Sequence, residues 1–211
     1  MIQFVTHANK RYDCLEGAQL ALEGGCRWIQ LRMKGASVEE FVDVAERIRI
    51  LCRQYEAVFL LNDHVELVER VGADGVHLGK DDMPISQARS LLGKEKIIGG
   101  TANTLEDVIR IYSSGADYIG CGPFRFTTTK KKLSPILGLD GYKRIVNGAK
   151  EYGIHIPIIA IGGIGVSDVT DIMRAGVNGI AISSAILNAD NGENPVAIME
   201  KFINELKSCN Q

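Results

Sequence analysis

Three short runs in this chain of 211 residues gather side chains able to hold anions and a hard cation. The first is Gln30-Leu31-Arg32-Met33-Lys34. In an extended strand, alternation puts Gln30 and Arg32 on one face and the apolar Ile29 and Leu31 on the other. An inward arginine needs an anionic partner, so Arg32 with Lys34 reads as a phosphate grip. The plainer alternative pairs Arg32 with an acidic neighbour and leaves Lys34 in water. The second run is split between Leu60-Leu61-Asn62-Asp63 and Val76-His77-Leu78-Gly79-Lys80-Asp81-Asp82. Oxygen ligands from two strand ends suit Mg²⁺, which keeps waters and binds together with substrate phosphates. Taken singly, Asp63 and Asp82 read as helix caps; together, beside an Arg/Lys cluster, they read as a metal pair. His77 shares the inward parity of Gln30 and is either a satisfied core histidine or a substrate contact.

The third run is Thr127-Thr128-Thr129-Lys130-Lys131-Lys132, which follows a Gly122-Pro123 turn. Hydroxyls beside a lysine on such a loop can hold a polyphosphate, although a bare lysine run is more often a solvated surface. Gly99-Gly100-Thr101 offers two glycines for close backbone approach to a ligand, with Thr101 as the ligand residue. Thr104 and Asp107 read as a capping box. Gly162-Gly163 and Ser183-Ser184 have the makings of a backbone-amide anion site at a helix N-terminus.

These residues recur at the ends of apolar segments, and the segments share a phrase. Gly72-Ala73-Asp74-Gly75-Val76-His77-Leu78-Gly79, Gly115-Ala116-Asp117-Tyr118-Ile119-Gly120-Cys121-Gly122 and Gly176-Val177-Asn178-Gly179-Ile180-Ala181-Ile182-Ser183 are three copies, and Gly25 to Arg32 is a looser fourth. Each reads as a helix ending at glycine, a polar turn residue and a buried strand. Period and punctuation extend the pattern to eight strand–helix units. The expected strands are 2–6, 28–32, 58–61, 75–78, 96–100, 118–121, 158–161 and 179–182. The expected helices are 12–23, 38–55, 64–71, 85–92, 104–114, 139–152, 169–175 and 195–208. Eight units close a parallel α/β barrel, a (β/α)₈ TIM barrel, as one domain over residues 1–211, with its chemistry at the C-terminal strand ends. The loop 124–137 follows strand 6 on that face, and its length marks it as functional or mobile.

Composition narrows the partners. Net charge is −2 and 24% of residues are charged, too weak a field to steer the chain to nucleic acid or a membrane surface. The chain opens straight into an apolar strand, without a basic-then-apolar leader. Five cysteines, with no Cys-x-x-Cys pair, read as buried structural thiols of a reduced, cytoplasmic protein. Small-molecule substrates are therefore expected; a homo-oligomer is left open.

The stretches QLRMK (30–34), LLNDHVELVERVGADGVHLGKDDMP (60–84), GADYIGCGPF (115–124), TTTK (127–130) and IPIIAIGGI (156–164) together resemble the thiamine-phosphate synthase family over nearly the whole chain. The resemblance implies a TIM barrel that joins 4-amino-2-methyl-5-hydroxymethylpyrimidine diphosphate to a thiazole phosphate, releasing pyrophosphate by a dissociative route. It implies that Arg32, Lys34, Asn62, Thr101 and Lys130 hold the diphosphate and that Asp63 and Asp82 hold Mg²⁺. Gln30 and His77 would lie against the pyrimidine. Thr127, Thr129, Gly163, Ser183 and Ser184 would hold the thiazole phosphate. Three places depart from the family pattern. Asn103 stands where His is usual, Lys80 where Gln is usual, and Arg125-Phe126 where an apolar residue and Pro are common. Two other readings compete: a thiazole tautomerase-like isomerase on the same barrel, and a non-catalytic phosphate-binding barrel. The first uses a His at position 103 and lacks Thr-x-Thr-Lys; the second has no need of a metal pair.

Overall fold

The computed structural model describes residues 1–126, 135–187 and 192–209. Eight parallel strands, β1 (Ile2–Val5), β2 (Trp28–Leu31), β3 (Val58–Asn62), β4 (Gly75–Leu78), β5 (Ile97–Ala102), β6 (Tyr118–Cys121), β7 (Ile158–Ile161) and β8 (Gly179–Ile182), close in sequence order into a barrel. The helices are α1 (Cys14–Glu23), α2 (Val38–Gln54), α3 (Ile85–Leu92), α4 (Leu105–Ser113), α5 (Gly138–Glu151), α6 (Val169–Arg174), α7 (Ser184–Leu187) and α8 (Pro195–Ser208). The expected (β/α)₈ barrel is the observed fold, and strands 4, 6, 7 and 8 and the helices 85–92 and 195–208 have the expected bounds.

The repeated phrase is the device that starts each unit. Gly72, Gly115 and Gly176 take φ of +63°, +90° and +98°, a left-handed turn that a side chain would strain. The polar residue two positions on then spans to the preceding strand. Asp74 accepts from Phe59 N–H at 2.7 Å, Asp117 from Ile98 N–H at 2.7 Å, and Asn178 from Ile158 N–H at 2.8 Å. Each copy thus satisfies a backbone donor at the start of the preceding strand and fixes inter-strand register. The looser copy shares the backbone link to the following strand: Arg27 C=O accepts from Val58 N–H as Asp74 C=O does from Ile97 N–H.

Strand alternation divides the core. One apolar layer packs between sheet and helices and includes Phe4, Ile29, Leu31, Phe59 and Leu61. A smaller one fills the barrel with Val5, Leu60, Tyr118, Ile159 and Ala181, closed by Trp28, Val58 and Ile97. Burying one such side chain fully contributes roughly 1.5–3 kcal/mol. Helix starts are sharply fixed: Asp13 with Glu16 and Ser37 with Glu40 form reciprocal capping boxes, and Asn194 caps a helix whose first residue is Pro195.

Three expectations need correction. The helix expected over 64–71 is a single 3₁₀ turn, Val65–Leu67, followed by further turns. The apolar spacing that suggested a helix is real, since Val65, Leu67, Val68 and Val71 are all buried. Short bonds such as Val68 N–H to Val65 C=O meet it instead of an α-helix. Strand 5 runs two residues further than expected, so Thr101 is a strand residue that pairs with Gly120. The glycine pair 99–100 serves packing and not ligand approach. A Cβ on Gly99 would lie 2.2 Å from the Tyr118 ring, and one on Gly100 2.7 Å from Ile85 and 2.8 Å from Ile111.

Candidate active site

The C-terminal strand ends bring most of the expected residues into one mouth. Gln30 is in register with Leu60 and reaches diagonally along β3, where its Nε2 donates to Asn62 Oδ1 at 2.8 Å. Both are buried, as is His77 on the neighbouring β4, where Asn62 and His77 are in register. Just above, Asp63 takes φ +72°, a left-handed backbone unusual for a non-glycine residue. Such strain persists only where the surroundings impose it, and it recurs at functional positions. Here the Asp63 N–H donates to His77 C=O at 3.0 Å and locks the turn.

The two acids meet. Asp82 Oδ2 accepts from Gly79 N–H at 2.6 Å, which folds the β4 loop back toward Asp63. Burial, then the hydrogen bond to Asp82 and its charge, push the Asp63 carboxyl up to about 6. Burial works against the Asp82 carboxylate too, but the Asp63 hydrogen bond and the Gly79 N–H hold it below its ordinary value. The two carboxyls are thus pushed apart in their titration, as close carboxylates are. Lys34 Nζ lies 3.5 Å from Asp63 Oδ2. Neither acid is a helix cap: the Val65–Leu67 turn and α3 both lack a side-chain cap. Among the described residues no three His, Cys, Asp or Glu side chains cluster as a complete metal cage. A two-carboxylate site open to solvent instead matches the chemistry of Mg²⁺, which completes its shell with water and phosphate oxygens.

Arg32 is half-buried beside them. Burial pulls its guanidinium below its ordinary range, opposed by the charge of Asp63. Its backbone is clamped by a residue that composition did not single out. Thr6, fully buried, accepts from Arg32 N–H at 2.8 Å and donates to Arg32 C=O at 3.2 Å.

His77 is bonded at both ring nitrogens: Nδ1 lies 2.9 Å from Tyr118 Oη and Nε2 2.9 Å from Thr101 Oγ1. Tyr118 in turn accepts from Gln3 Nε2 at 3.2 Å. Gly120 leaves room for the imidazole, since a Cβ there would come within 2.9 Å of His77 Cε1.

Two of the three departures from the family pattern share a partner. Asp107 receives Lys80 Nζ at 2.5 Å, Arg110 at 3.1 Å and the Asn103 N–H at 2.9 Å, and Asn103 Nδ2 donates to Gly122 C=O. The expected capping box is therefore half formed. Thr104 caps α4 through Asp107 N–H, but the Asp107 carboxylate reaches back to Asn103 and sideways to Lys80, bracing three successive loops. The third departure, Arg125, pairs with Asp168 at 2.6 Å and lies over the Phe124 ring at 4.7 Å.

On the opposite side of the mouth, Gly163 (φ +69°) and Ser183 follow the paired strands β7 and β8, and Ser184 opens α7. Arg125 and Phe126 crowd Gly163, where a Cβ would meet Arg125 Cγ at 2.5 Å. Thr127, Thr129 and Lys130 lie outside the described residues, as does most of the loop 124–137. The described ends of that loop are tied together: Leu137 N–H donates to Pro123 C=O at 2.9 Å and Gly138 N–H to Phe124 C=O at 3.1 Å. Of the five cysteines, Cys14, Cys26, Cys52 and Cys121 are buried, and none is in a disulfide. Burial raises Cys26 to about 11 and Cys52 and Cys121 to about 12, which leaves them protonated and inert.

A closed parallel barrel with two acids, an arginine, a lysine and a glycine–serine rim at its C-terminal face defines the class: a (β/α)₈ barrel with a charged, polar mouth. Residues 2–186 match the family model for thiamine monophosphate synthase. The chain is 57% identical over 203 residues to a thiamine-phosphate synthase of Phocaeicola vulgatus, covering 96% of each chain. The same identity, over 203 residues and 96% of each chain, relates it to the thiamine-phosphate synthase of Bacteroides thetaiotaomicron. The solved structure of a thiamine phosphate pyrophosphorylase from Pyrococcus furiosus superposes with a TM-score of 0.87 at 32% identity, covering 100% of this chain and 96% of that one. The chain belongs to the thiamine monophosphate synthase family.

Proposed function

We propose that this chain, acting as one barrel domain, joins 4-amino-2-methyl-5-hydroxymethylpyrimidine diphosphate to a thiazole phosphate and releases thiamine phosphate and pyrophosphate. It is a transferase of thiamine biosynthesis. The observation that carries the site assignment is the meeting of Asp63 with Asp82 beside Lys34, directly above the buried Gln30, Asn62 and His77.

Asp63 and Asp82 are the residues that would hold Mg²⁺, which when bound neutralises charge developing on the diphosphate. Arg32, Lys34 and Lys130 bind the diphosphate oxygens, and Asn62 and Thr101 hold it by hydrogen bonds. Gln30 and His77 orient the pyrimidine over the mouth. The bond between the pyrimidine methylene carbon and the diphosphate oxygen breaks with its electron pair leaving on pyrophosphate. The thiazole nitrogen lone pair then forms the new C–N bond. That nitrogen carries no proton, so no general base is required. Thr127, Thr129, Gly163, Ser183 and Ser184 hold the thiazole phosphate in line. A setting in the cytoplasm, with no nucleic-acid or membrane partner, accords with the weak net charge, and no helix among the described residues is long and apolar enough to cross a membrane.

Neither the thiazole tautomerase reading nor the non-catalytic phosphate-binding reading draws support from the relatives. The test is direct: purified protein with both substrates and Mg²⁺ should yield thiamine phosphate and pyrophosphate in equal amounts. Folded protein that forms no product, or that only isomerises the thiazole, would overturn the proposal.

A further inference from the structure

Beside the Gln30–Asn62 pair, four polar groups form a file from the barrel floor to its mouth: Gln3, Tyr118, His77, Thr101. We infer that this file sets the direction of the hydrogen bonds, fixes His77 as its Nε2–H tautomer and so turns the Thr101 hydroxyl proton outward as a donor to the substrate. The inference rests on the proposed placing of Thr101 at the diphosphate.

The direction is set at the floor of the file, and the diphosphate proposed at the mouth asks for the same one. At the floor, Gln3 is buried and its amide Nε2 donates to Tyr118 Oη at 3.2 Å. A phenol that accepts there has its own proton to give, and the neighbour is His77 Nδ1 at 2.9 Å. An Nδ1 that accepts leaves the proton of a neutral imidazole on Nε2, which donates to Thr101 Oγ1 at 2.9 Å. Thr101, with its oxygen occupied as acceptor, donates to whatever sits in the mouth. Starting from the mouth gives the same polarity, because diphosphate oxygens only accept. A Thr101 proton spent on His77 Nε2 would leave an oxygen lone pair facing an anion.

Tyr118 is built to hold its proton and its place. It is fully buried, which pushes its ionisation well above the ordinary phenol value. Its ring packs edge-on against Trp28 at 4.8 Å between centroids and fills the space left by Gly99. Tyr118 and Gln3 are therefore positioning residues that act through His77. Reversing one bond in the file would reverse those above it, since each hydroxyl and the neutral imidazole has one proton to give.

The experiment uses the whole ligand-free protein with ¹⁵N-labelled histidine. Four histidines are present, and the His77 signals are assigned by their loss in His77→Gln. The expected result is a protonated Nε2 and a pyridine-like Nδ1 in the wild type, changing to a mixture of tautomers in Tyr118→Phe. With pyrimidine diphosphate, Tyr118→Phe and Thr101→Val should each raise KM by about fivefold, the ratio set by one hydrogen bond, while KM for thiazole phosphate stays put and Thr101→Ser restores binding. An Nδ1–H or doubly protonated ring in the wild type would overturn the inference, as would a tautomer indifferent to Tyr118→Phe. The wild-type spectrum decides even if a variant fails to fold. A protein with the expected tautomer but no synthase product would refute the proposed function and leave the internal file standing.

Discussion

Thr6→Val isolates the clamp on Arg32 with almost no change in volume. The Thr6 hydroxyl is fully buried and makes two bonds to one peptide unit, accepting from Arg32 N–H at 2.8 Å and donating to Arg32 C=O at 3.2 Å. Valine keeps the shape and removes both. The carbonyl retains the Cys14 thiol at 3.8 Å, but the amide is left without that acceptor. An unsatisfied buried donor costs about 1–3 kcal/mol, so about 2 kcal/mol is expected. At roughly 2–4 °C per kcal/mol for a domain of this size, Tm should fall by roughly 4–8 °C. The same slack releases the backbone that aims Arg32 at the diphosphate. A displacement of about 1 Å in a positioning group costs on the order of 100-fold in rate, and a partial shift should lower kcat/KM by at least about tenfold. Thermal unfolding followed by circular dichroism and a pyrophosphate-release assay read the two effects, with Thr6→Ser as the control that keeps the hydroxyl. Unchanged Tm and kcat/KM in Thr6→Val would refute the clamp.

Other outcomes follow from the same geometry. Asp63 is raised from 3.8 to about 6, so between those values the folded protein binds a proton that the unfolded chain has lost. Stability without metal should therefore fall as pH rises through that window, and Mg²⁺, which must displace the proton, should stabilise the protein at about pH 7 and lose its effect near about pH 5; Tm measured against pH with and without Mg²⁺ checks both signs. Asp107→Asn removes the charge that Lys80 and Arg110 meet and should cost about 1.5–3 kcal/mol in denaturant unfolding, as for a hydrogen bond to a charged group. Gly99→Ala drives a methyl into the Tyr118 ring and should cost about 1–3 kcal/mol or more as overpacking, whereas Gly35→Ala, with nothing within 4 Å of its Cβ but a φ of +88°, carries backbone strain alone.

Much of the barrel could be read from one repeated phrase because its physical job is local. A glycine in a left-handed turn and an Asp or Asn two residues later serve their own unit, and Asp74, Asp117 and Asn178 do so alike. The strand-end residues were legible for the same reason: alternation along β2 puts Gln30 inward, and it is buried there. What stayed hidden depends on neighbours distant in sequence. Thr6, just past β1, and Tyr118, in β6, lie among apolar residues; their roles need the register that sets Thr6 beside Arg32 and Tyr118 beside His77. Gly99 and Gly100 looked like room for a ligand and are room for a tyrosine and two isoleucines. The turn after β3 kept a helical spacing of apolar residues without the helix, because Asp63 leaves the strand in a left-handed conformation. Lys80 and Asn103, separate departures along the chain, meet at Asp107 only in the folded protein.

The claim at the centre is that Asp63 and Asp82 present a metal-bound diphosphate to the Arg32–Lys34 grip. Pyrophosphate release should be measured as a function of Mg²⁺ concentration for the wild type, Asp63→Asn and Asp82→Asn, each shown to be folded. The expected result is saturable Mg²⁺ dependence in the wild type, with turnover in either variant reduced by orders of magnitude or recovered only at much higher Mg²⁺. Wild-type turnover that ignores Mg²⁺, or variants that match the wild type at the same metal concentration, would contradict the assignment.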